Sequence, residues 1–218
     1  MRFLILFVFF CLVFSHQGLA QVLRFNGETY KTVKIGEQEW FAENLKTTLY
    51  ANGDEIPYSR TVESWTTQEM GMRCSYKHDD AMNAKSGQLY NWFAVDDERG
   101  LCPNGWHVPT DGEWTDLENY ITSRGFNGIV STALKSTTGW EAFDGNGTDD
   151  FGFSALPSGF REDDSDKFYS WAVGYWWSSS LDGGDAWKRT LDTNTELLKR
   201  SSSNPRSGFS VRCLRDAE

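Results

Sequence analysis

The stretch from residue 101 to 114, LCPNGWHVPTDGEW, holds side chains that often take part in catalysis and metal binding. His107 could act as a general base or as a metal ligand, and two acidic residues follow it closely. Both roles need a positioned partner, and the neighbours Trp106 and Val108 are typical of a strand entering a core. We therefore interpret His107 as a hydrogen-bonded structural residue. No serine lies in the G-x-S-x-G pattern of a nucleophile elbow, so no catalytic residue is predicted.

An acidic loop, DGNGTDD at 144–150, is the second candidate site. Oxygen-bearing side chains at alternate positions suit a hard cation such as Ca²⁺; the candidate ligands are Asp144, Asn146, Thr148 and Asp150. The loop departs from an EF-hand because Ala155 stands where the closing glutamate would be. A solvated turn with Asx hydrogen bonds uses the same residue types. Calcium is therefore a candidate cofactor, with that turn as the alternative.

A group of aromatic residues near position 180 is the third candidate site. Trp176, Trp177 and Trp187 could stack on sugar rings, and Arg189 could donate hydrogen bonds to sugar hydroxyls. Adjacent residues of a strand face opposite sides, so Trp176 and Trp177 cannot both be buried if one sheet face is open to solvent. The alternative is that both faces are covered and the tryptophans pack in the core. A glycosidase pair of carboxylates is a further alternative, but no particular pair can be named.

Local patterns predict the elements that hold the first site. The chain before Pro109 is extended, because a residue that precedes proline avoids helical angles. Thr110 and Glu113 form a capping box. A helix from about 111 to 121 follows, and Gly125 is its predicted stop. One face of this helix is apolar and carries Trp114, Leu117 and Ile121.

The other elements are predicted to be short. Residues 30–45 indicate a hairpin, since Val33 and Ile35 alternate with polar residues. Residues 46–80 and 139–170 are mostly loop, with short helices expected within 81–98 and 129–136. Four strands of an antiparallel meander follow, at 175–178, 186–191, 196–200 and 209–214. A hairpin, a helical middle, long loops and a meander predict an α+β fold.

The first twenty residues and the net charge predict where the protein acts and which classes of partner it binds. Residues 1–20 are typical of a secretory signal peptide, with Arg2, an apolar run and a small-x-small cleavage site. Residues 21–218 are then one domain, without a further segment of membrane-spanning length. The formal charge of −10 disfavours nucleic acid and anionic membranes and leaves cations, neutral glycans and basic proteins. We expect a monomer that is secreted or held at the cell surface.

Three cysteines follow the predicted signal peptide: Cys74, Cys102 and Cys213. Thiols outside the cytoplasm tend to oxidise, so one disulfide and one spare thiol is the simplest expectation. The spacing alone does not select the pair. No C-x-x-C pattern supports a zinc site or a thioredoxin-like site.

Short motifs recur along the chain from about residue 26 to 216. They include Asn44-Leu45, Leu89-Tyr90-Asn91-Trp92, the segment 101–109 with Glu113-Trp114, Gly147-Thr148-Asp149, and the segments 152–157, 175–179 and 208–213. Together they resemble the Fibrobacter succinogenes major paralogous domain, a family of secreted bacterial proteins. That family looks related to the C-type-lectin-like fold, including the branch of formylglycine-generating enzymes. The resemblance implies short antiparallel sheets, both termini in one sheet, one or two helices and long loops.

The resemblance also bears on the cysteines and on activity. In the formylglycine-generating branch, the resemblance implies catalysis by a matched pair of cysteines near the C-terminal part of the fold. Only Cys213 is present there, so that activity does not carry over. We predict instead a structural disulfide between Cys102 and Cys213, which would join the loop before the helix to the last strand. A pairing with Cys74 is the alternative.

These observations predict a secreted, non-catalytic binding or surface-interaction module whose ligand is a polysaccharide or a protein. The expected contact regions are the loops at 139–170 and the segment Trp176–Arg189. Two alternatives are a carbohydrate-active enzyme of the cell envelope and a structural surface protein without a discrete ligand. Turnover of a polysaccharide would distinguish the enzyme from the binding module. Absence of saturable binding would distinguish the structural surface protein from it.

Overall fold

A computed structural model describes residues 21–67, 69–140, 145–169 and 171–217. The predicted signal peptide lies outside these residues. The helices are α1 (Val62–Thr67), α2 (Asp80–Ser86), α3 (Trp92–Val95), α4 (Asp111–Ile121) and α5 (Val130–Leu134). The strands are β1 (Gln21–Phe25), β2 (Glu28–Ile35), β3 (Gln38–Phe41), β4 (Arg73–Cys74), β5 (Leu89–Tyr90), β6 (Phe160–Arg161), β7 (Phe168–Tyr169), β8 (Val173–Asp182), β9 (Asp185–Asp192), β10 (Lys199–Ser203) and β11 (Leu214–Asp216). These short elements confirm the α+β class.

A four-stranded antiparallel sheet joins the two ends of the described chain, in the order β1-β2-β3-β11. The predicted hairpin is its centre, with Ile35 opposite Gln38 across the turn. Leu214 of β11 pairs with Trp40 of β3, so the last strand closes the sheet next to the hairpin. Strand β1 was not predicted, although the Asn-Gly turn at 26–27 is a strong hairpin signal.

A second antiparallel sheet has the order β10-β9-β8 and contains three of the four strands expected in the meander. The fourth predicted strand, 209–214, does not join this sheet as a strand. Within it, Phe209 and Ser210 form only single bridges, to Tyr90 and Trp176 respectively. The chain then crosses to the terminal sheet, where β11 begins at Leu214. An alternating pattern predicts a strand but does not identify its neighbour, which explains the error.

Helix α4 is anchored as predicted. Thr110 accepts a hydrogen bond from the Glu113 amide, and the Glu113 carboxylate accepts one from the Thr110 amide, which completes the capping box. The apolar side chains Trp114, Leu117 and Ile121 are fully buried. The Trp114 ring lies 4.8 Å from that of Trp40, so the helix packs on the terminal sheet. A single turn follows, ending near Gly125, whose φ of 102° is readily adopted only by glycine.

The disulfide prediction is confirmed: Cys102 and Cys213 are bonded, with a Cα–Cα distance of 5.8 Å. The bond joins the loop before α4 to the residue before β11. Cys74 is a free, buried thiol, and burial raises its pKa to about 12. No helix among the described residues is long and apolar enough to cross a membrane.

Candidate functional site

His107 lies beside the N-terminus of α4 and pairs with a single carboxylate. Its Nε2 lies 2.7 Å from Glu113 Oε1, and its backbone pairs with Leu214 of β11. The hydrogen bond that the imidazolium donates to Glu113 raises the pKa of His107, against the opposing effect of burial. Since Glu113 also closes the capping box, this pair fastens the start of the helix to the terminal sheet, in agreement with a structural histidine.

The His107–Glu113 pair predicts a small pH dependence of stability. A raised folded-state pKa means that the stabilisation is complete below the unfolded pKa of about 6.5 and is lost as pH rises through the folded value. We expect His107→Gln, which keeps a neutral donor, to unfold more easily than wild type at about pH 6 and equally at about pH 8.5. Because the imidazole is nearly half exposed, the difference stays below about 1 kcal/mol. Urea unfolding at both pH values measures it, and a difference independent of pH would contradict the assignment.

Trp176 and Trp177 are fully buried, so the prediction that they stack on sugars is corrected. The indole N–H of Trp176 donates to Asn44 Oδ1 at 2.8 Å, and that of Trp177 donates to the Tyr90 carbonyl at 2.8 Å. The two side chains do face opposite sides of β8, but both sides are covered. One joins the core around Trp114, and the other joins the core around Phe209.

Arg189 is also buried and ties the second sheet to α4, which corrects its predicted role in ligand binding. Its Nη1 donates to Asp111 Oδ1 at 2.5 Å, and its Nη2 donates to the Asp111 carbonyl. Arg200 binds the same carboxylate from the solvent side, with Nε and Nη2 each 2.9 Å from an Asp111 oxygen. Burial favours a higher pKa for Asp111, but the hydrogen bonds from both arginines outweigh it and hold the pKa below its usual value.

Trp187 is the one member of this predicted group that keeps a partly exposed side chain. The guanidinium of Arg200 lies 3.3 Å from the centre of its ring, a close cation–π contact. One face of the indole is therefore occupied by protein. The four residues predicted to bind a sugar do not form a shared open surface.

The acidic loop packs against the end of α5, and its Asp144 lies outside the described residues. Asn146 Oδ1 accepts the Trp140 amide at 2.9 Å, and the Thr148 hydroxyl binds the Asp150 carboxylate. A Cβ on Gly147 would lie 2.2 Å from the Lys135 carbonyl, so this glycine is required for the close approach. Among the described residues no three His, Cys, Asp or Glu side chains form a metal-binding group. Calcium binding stays a prediction.

Sequence reasoning missed two clefts that adjoin α2. The first, here called the polar cleft, has a volume of about 470 Å³ and is lined by Thr48, Tyr58, Arg60, Arg73, Asp80, Asn83 and Gln88. The guanidinium groups of Arg60 and Arg73 each lie 5.0 Å from the centre of the Tyr58 ring. Asp80 Oδ1 accepts the Ser75 hydroxyl at 2.8 Å, and Asn83 donates to the same hydroxyl.

Two amide side chains of the polar cleft are incompletely satisfied. Asn83 Oδ1 and Gln88 Oε1 are buried, and no donor among the described residues bonds to either oxygen. A buried acceptor without a partner costs free energy, so these two oxygens leave part of the cleft wall unsatisfied within the described residues.

The second, here called the basic cleft, lies where the C-terminal end of α2 meets the terminal sheet and the loops after α5. Its volume is about 200 Å³. Four basic side chains line it, those of Lys31, Lys46, Lys85 and Arg212, against the single carboxylate of Glu43. Three hydroxyl residues complete the wall: Ser136, Thr138 and Ser154.

Comparison with known families now places the chain. Residues 33–215 match the profile of the Fibrobacter succinogenes major domain. The chain belongs to this family. No curated protein and no solved structure shows significant similarity to it.

The Fibrobacter succinogenes major domain accounts for most of the described architecture. The match begins within β2 and ends within β11, so it includes the disulfide, α4 and the whole polar cleft. It also includes the basic cleft apart from Lys31. Strand β1 precedes the matched residues.

Proposed function

We propose that this member of the Fibrobacter succinogenes major domain family is an extracytoplasmic, non-catalytic binding module that recognises a polysaccharide or a surface protein. The polar cleft carries the proposal. Location outside the cytoplasm is supported by the Cys102–Cys213 disulfide and by the signal-peptide pattern of residues 1–20.

The polar cleft offers the chemistry that saccharide or peptide recognition requires. Sugar hydroxyls and peptide groups both donate and accept hydrogen bonds, and the cleft presents amides, a carboxylate and two guanidinium groups around an aromatic ring. Its volume of about 470 Å³ lies within the usual range for ligand sites of about 300–1,000 Å³.

A binding screen of residues 21–218 against soluble and insoluble polysaccharides, with calcium and then with chelator, tests the proposal. We expect saturable binding that Arg60→Ala with Asn83→Ala weakens roughly tenfold, or by about 1.4 kcal/mol. The matched control is Asn119→Ala with Arg124→Ala, which removes the same two residue types from α4 and the turn after it. Loss of binding with chelator would further indicate a calcium site at residues 144–150.

Three outcomes would overturn parts of the proposal. Equal weakening by the cleft and control variants would remove the polar cleft as the site. Release of reducing sugar from a bound polysaccharide would favour the carbohydrate-active enzyme. Absence of saturable binding to every polysaccharide and cell-surface protein tested would favour a structural surface protein.

A further inference from the structure

The basic cleft concentrates positive charge in a strongly acidic chain. The formal net charge is −10, yet four cations and one carboxylate line this cleft. Local charge at a concave surface governs which ions approach it, since low-dielectric walls focus the field. The cleft is therefore a place where an anion is favoured although the whole molecule repels anions.

Arg212 supplies a buried charge at the wall of the basic cleft. Its side chain is 1% exposed, and it donates to Asn44 Oδ1 and to the Phe41 and Ser154 carbonyls at 3.0–3.1 Å. These acceptors satisfy the guanidinium without neutralising it, because no described carboxylate lies within ion-pair distance. Burial lowers the pKa of Arg212 to about 9, although the negative charge of Asp149 acts in the opposite direction. The guanidinium therefore stays cationic at neutral pH.

The lysines of the basic cleft add charge that the protein leaves largely uncompensated. Lys31 and Lys85 are exposed, and neither forms an ion pair with a described residue; the Lys85 ammonium lies 5.9 Å from the centre of the Trp171 ring. Lys46 lies 3.7 Å from Glu43, and that carboxylate is the only acid in the lining. An anion entering the cleft would thus meet four cations, of which only Lys46 is paired with a carboxylate of the lining.

The size and the remaining lining narrow the class of ligand. A volume of about 200 Å³ lies below the range of about 300–1,000 Å³ for drug-sized ligands, so the cleft fits one small unit. The hydroxyls of Ser136 and Thr138 can exchange hydrogen bonds with a polyhydroxyl ring, and that of Ser154, which donates to Asp149 Oδ2 at 2.6 Å, can accept one. One charged group and several hydroxyls on a compact ring describe an acidic sugar.

We propose that the basic cleft binds one carboxylate- or sulfate-bearing sugar residue of an anionic polysaccharide, whose charge Lys31, Lys46 and Lys85 neutralise. This inference deepens the proposed binding function and rests on it, but it depends on different residues from those of the polar cleft. It also gives the module a ligand class that its net charge alone would exclude.

The test compares wild type with a double variant that carries both Lys31→Glu and Lys85→Glu. Both side chains are exposed, so we expect an unchanged melting temperature. The control is Lys167→Glu with Lys199→Glu, which makes the same change of net charge at exposed lysines outside the cleft. The probes are polygalacturonate, dextran sulfate, neutral dextran and poly-glutamate, with inorganic sulfate as a competitor.

We expect the cleft variant to lose roughly tenfold or more in affinity for polygalacturonate or dextran sulfate, whereas the control changes by less than about threefold. Added salt should weaken the wild-type interaction, because exposed lysines contribute through screened electrostatics. Equal loss in both double variants would overturn the inference, since only net charge would then matter. Equal affinity for poly-glutamate would replace the sugar with an acidic protein, and complete displacement by low inorganic sulfate would indicate a free-ion site.

The two proposals fail in distinguishable ways. Binding of neutral polysaccharide that needs Arg60 and Asn83, without binding of any acidic one, would overturn the basic cleft and leave the proposed function intact. Absence of binding to every probe would overturn the basic cleft inference, whereas the proposed function falls only if the wider screen of polysaccharides and cell-surface proteins also shows no saturable binding.

Discussion

Replacing Cys102 and Cys213 together by alanine is expected to lower the free energy of unfolding by about 4–5 kcal/mol. The bond closes a loop with a sequence separation of 111 residues, and a cross-link of that span removes much conformational freedom from the unfolded chain. For a domain of this size the loss corresponds to a decrease in melting temperature of roughly 10–20 °C. Thermal unfolding followed by far-UV circular dichroism measures it.

The free thiol of Cys74 provides a matched control. Cys74 is fully buried like Cys213 but closes no loop, so Cys74→Ala should cost only about 1 kcal/mol. A reductant should lower the melting temperature of wild type and of Cys74→Ala but leave that of the double variant unchanged. A double variant that melts within about 3 °C of wild type would contradict the expected stabilisation.

Asp111→Asn is expected to destabilise the fold by about 3 kcal/mol, or roughly 6–12 °C in melting temperature. The change removes the charge opposite Arg189, whose side chain is fully buried, and leaves a cation in the interior without a counter-charge. It also weakens the pairing of Arg200, which keeps its contact with Trp187. Urea unfolding at neutral pH measures the difference from wild type.

The control for Asp111→Asn is Asp116→Asn on the same helix. Asp116 is exposed and forms no ion pair with a described residue, so its replacement should change stability by less than about 0.5 kcal/mol. The effect of Asp111→Asn also has a defined pH dependence. Because the folded pKa of Asp111 is lowered, its stabilisation is present above the unfolded pKa of about 3.9 and is lost as pH falls through the folded value. A gap that persists unchanged in strong acid would contradict the assignment.

Local chemistry was readable from the sequence wherever neighbours in the chain interact. Thr110 and Glu113 lie three residues apart, so the capping box followed from their spacing alone. Trp114, Leu117 and Ile121 share a face because a helix has a fixed period. The Cys102–Cys213 pair was expected through family resemblance, since its spacing did not exclude Cys74.

Pairings between segments that are distant in the chain are harder to predict from the sequence. The strand pattern predicts that the last segment joins the meander, whereas the family resemblance implies that both termini lie in one sheet; Leu214 pairs with Trp40, which confirms the second expectation and not the first. Trp176 and Trp177 were known to point to opposite faces of a strand. Whether those faces meet solvent depends on α4 on one side and on residues near Phe209 on the other, and neither contact is encoded locally.

The two clefts show most clearly the difference between what local sequence patterns predict and what tertiary packing decides. The lining of the basic cleft comes from positions 31, 42–46, 84–87, 136–138, 154–156 and 212, and no spacing rule unites these segments. Net charge is a sum over the sequence, so −10 correctly describes the whole chain but not any one surface. The sequence by itself determined the α+β class, the helix cap, the hairpin and the family. Only the tertiary structure decided that the tryptophans are buried and that cations gather in one cleft, because packing brings together residues that the chain keeps far apart.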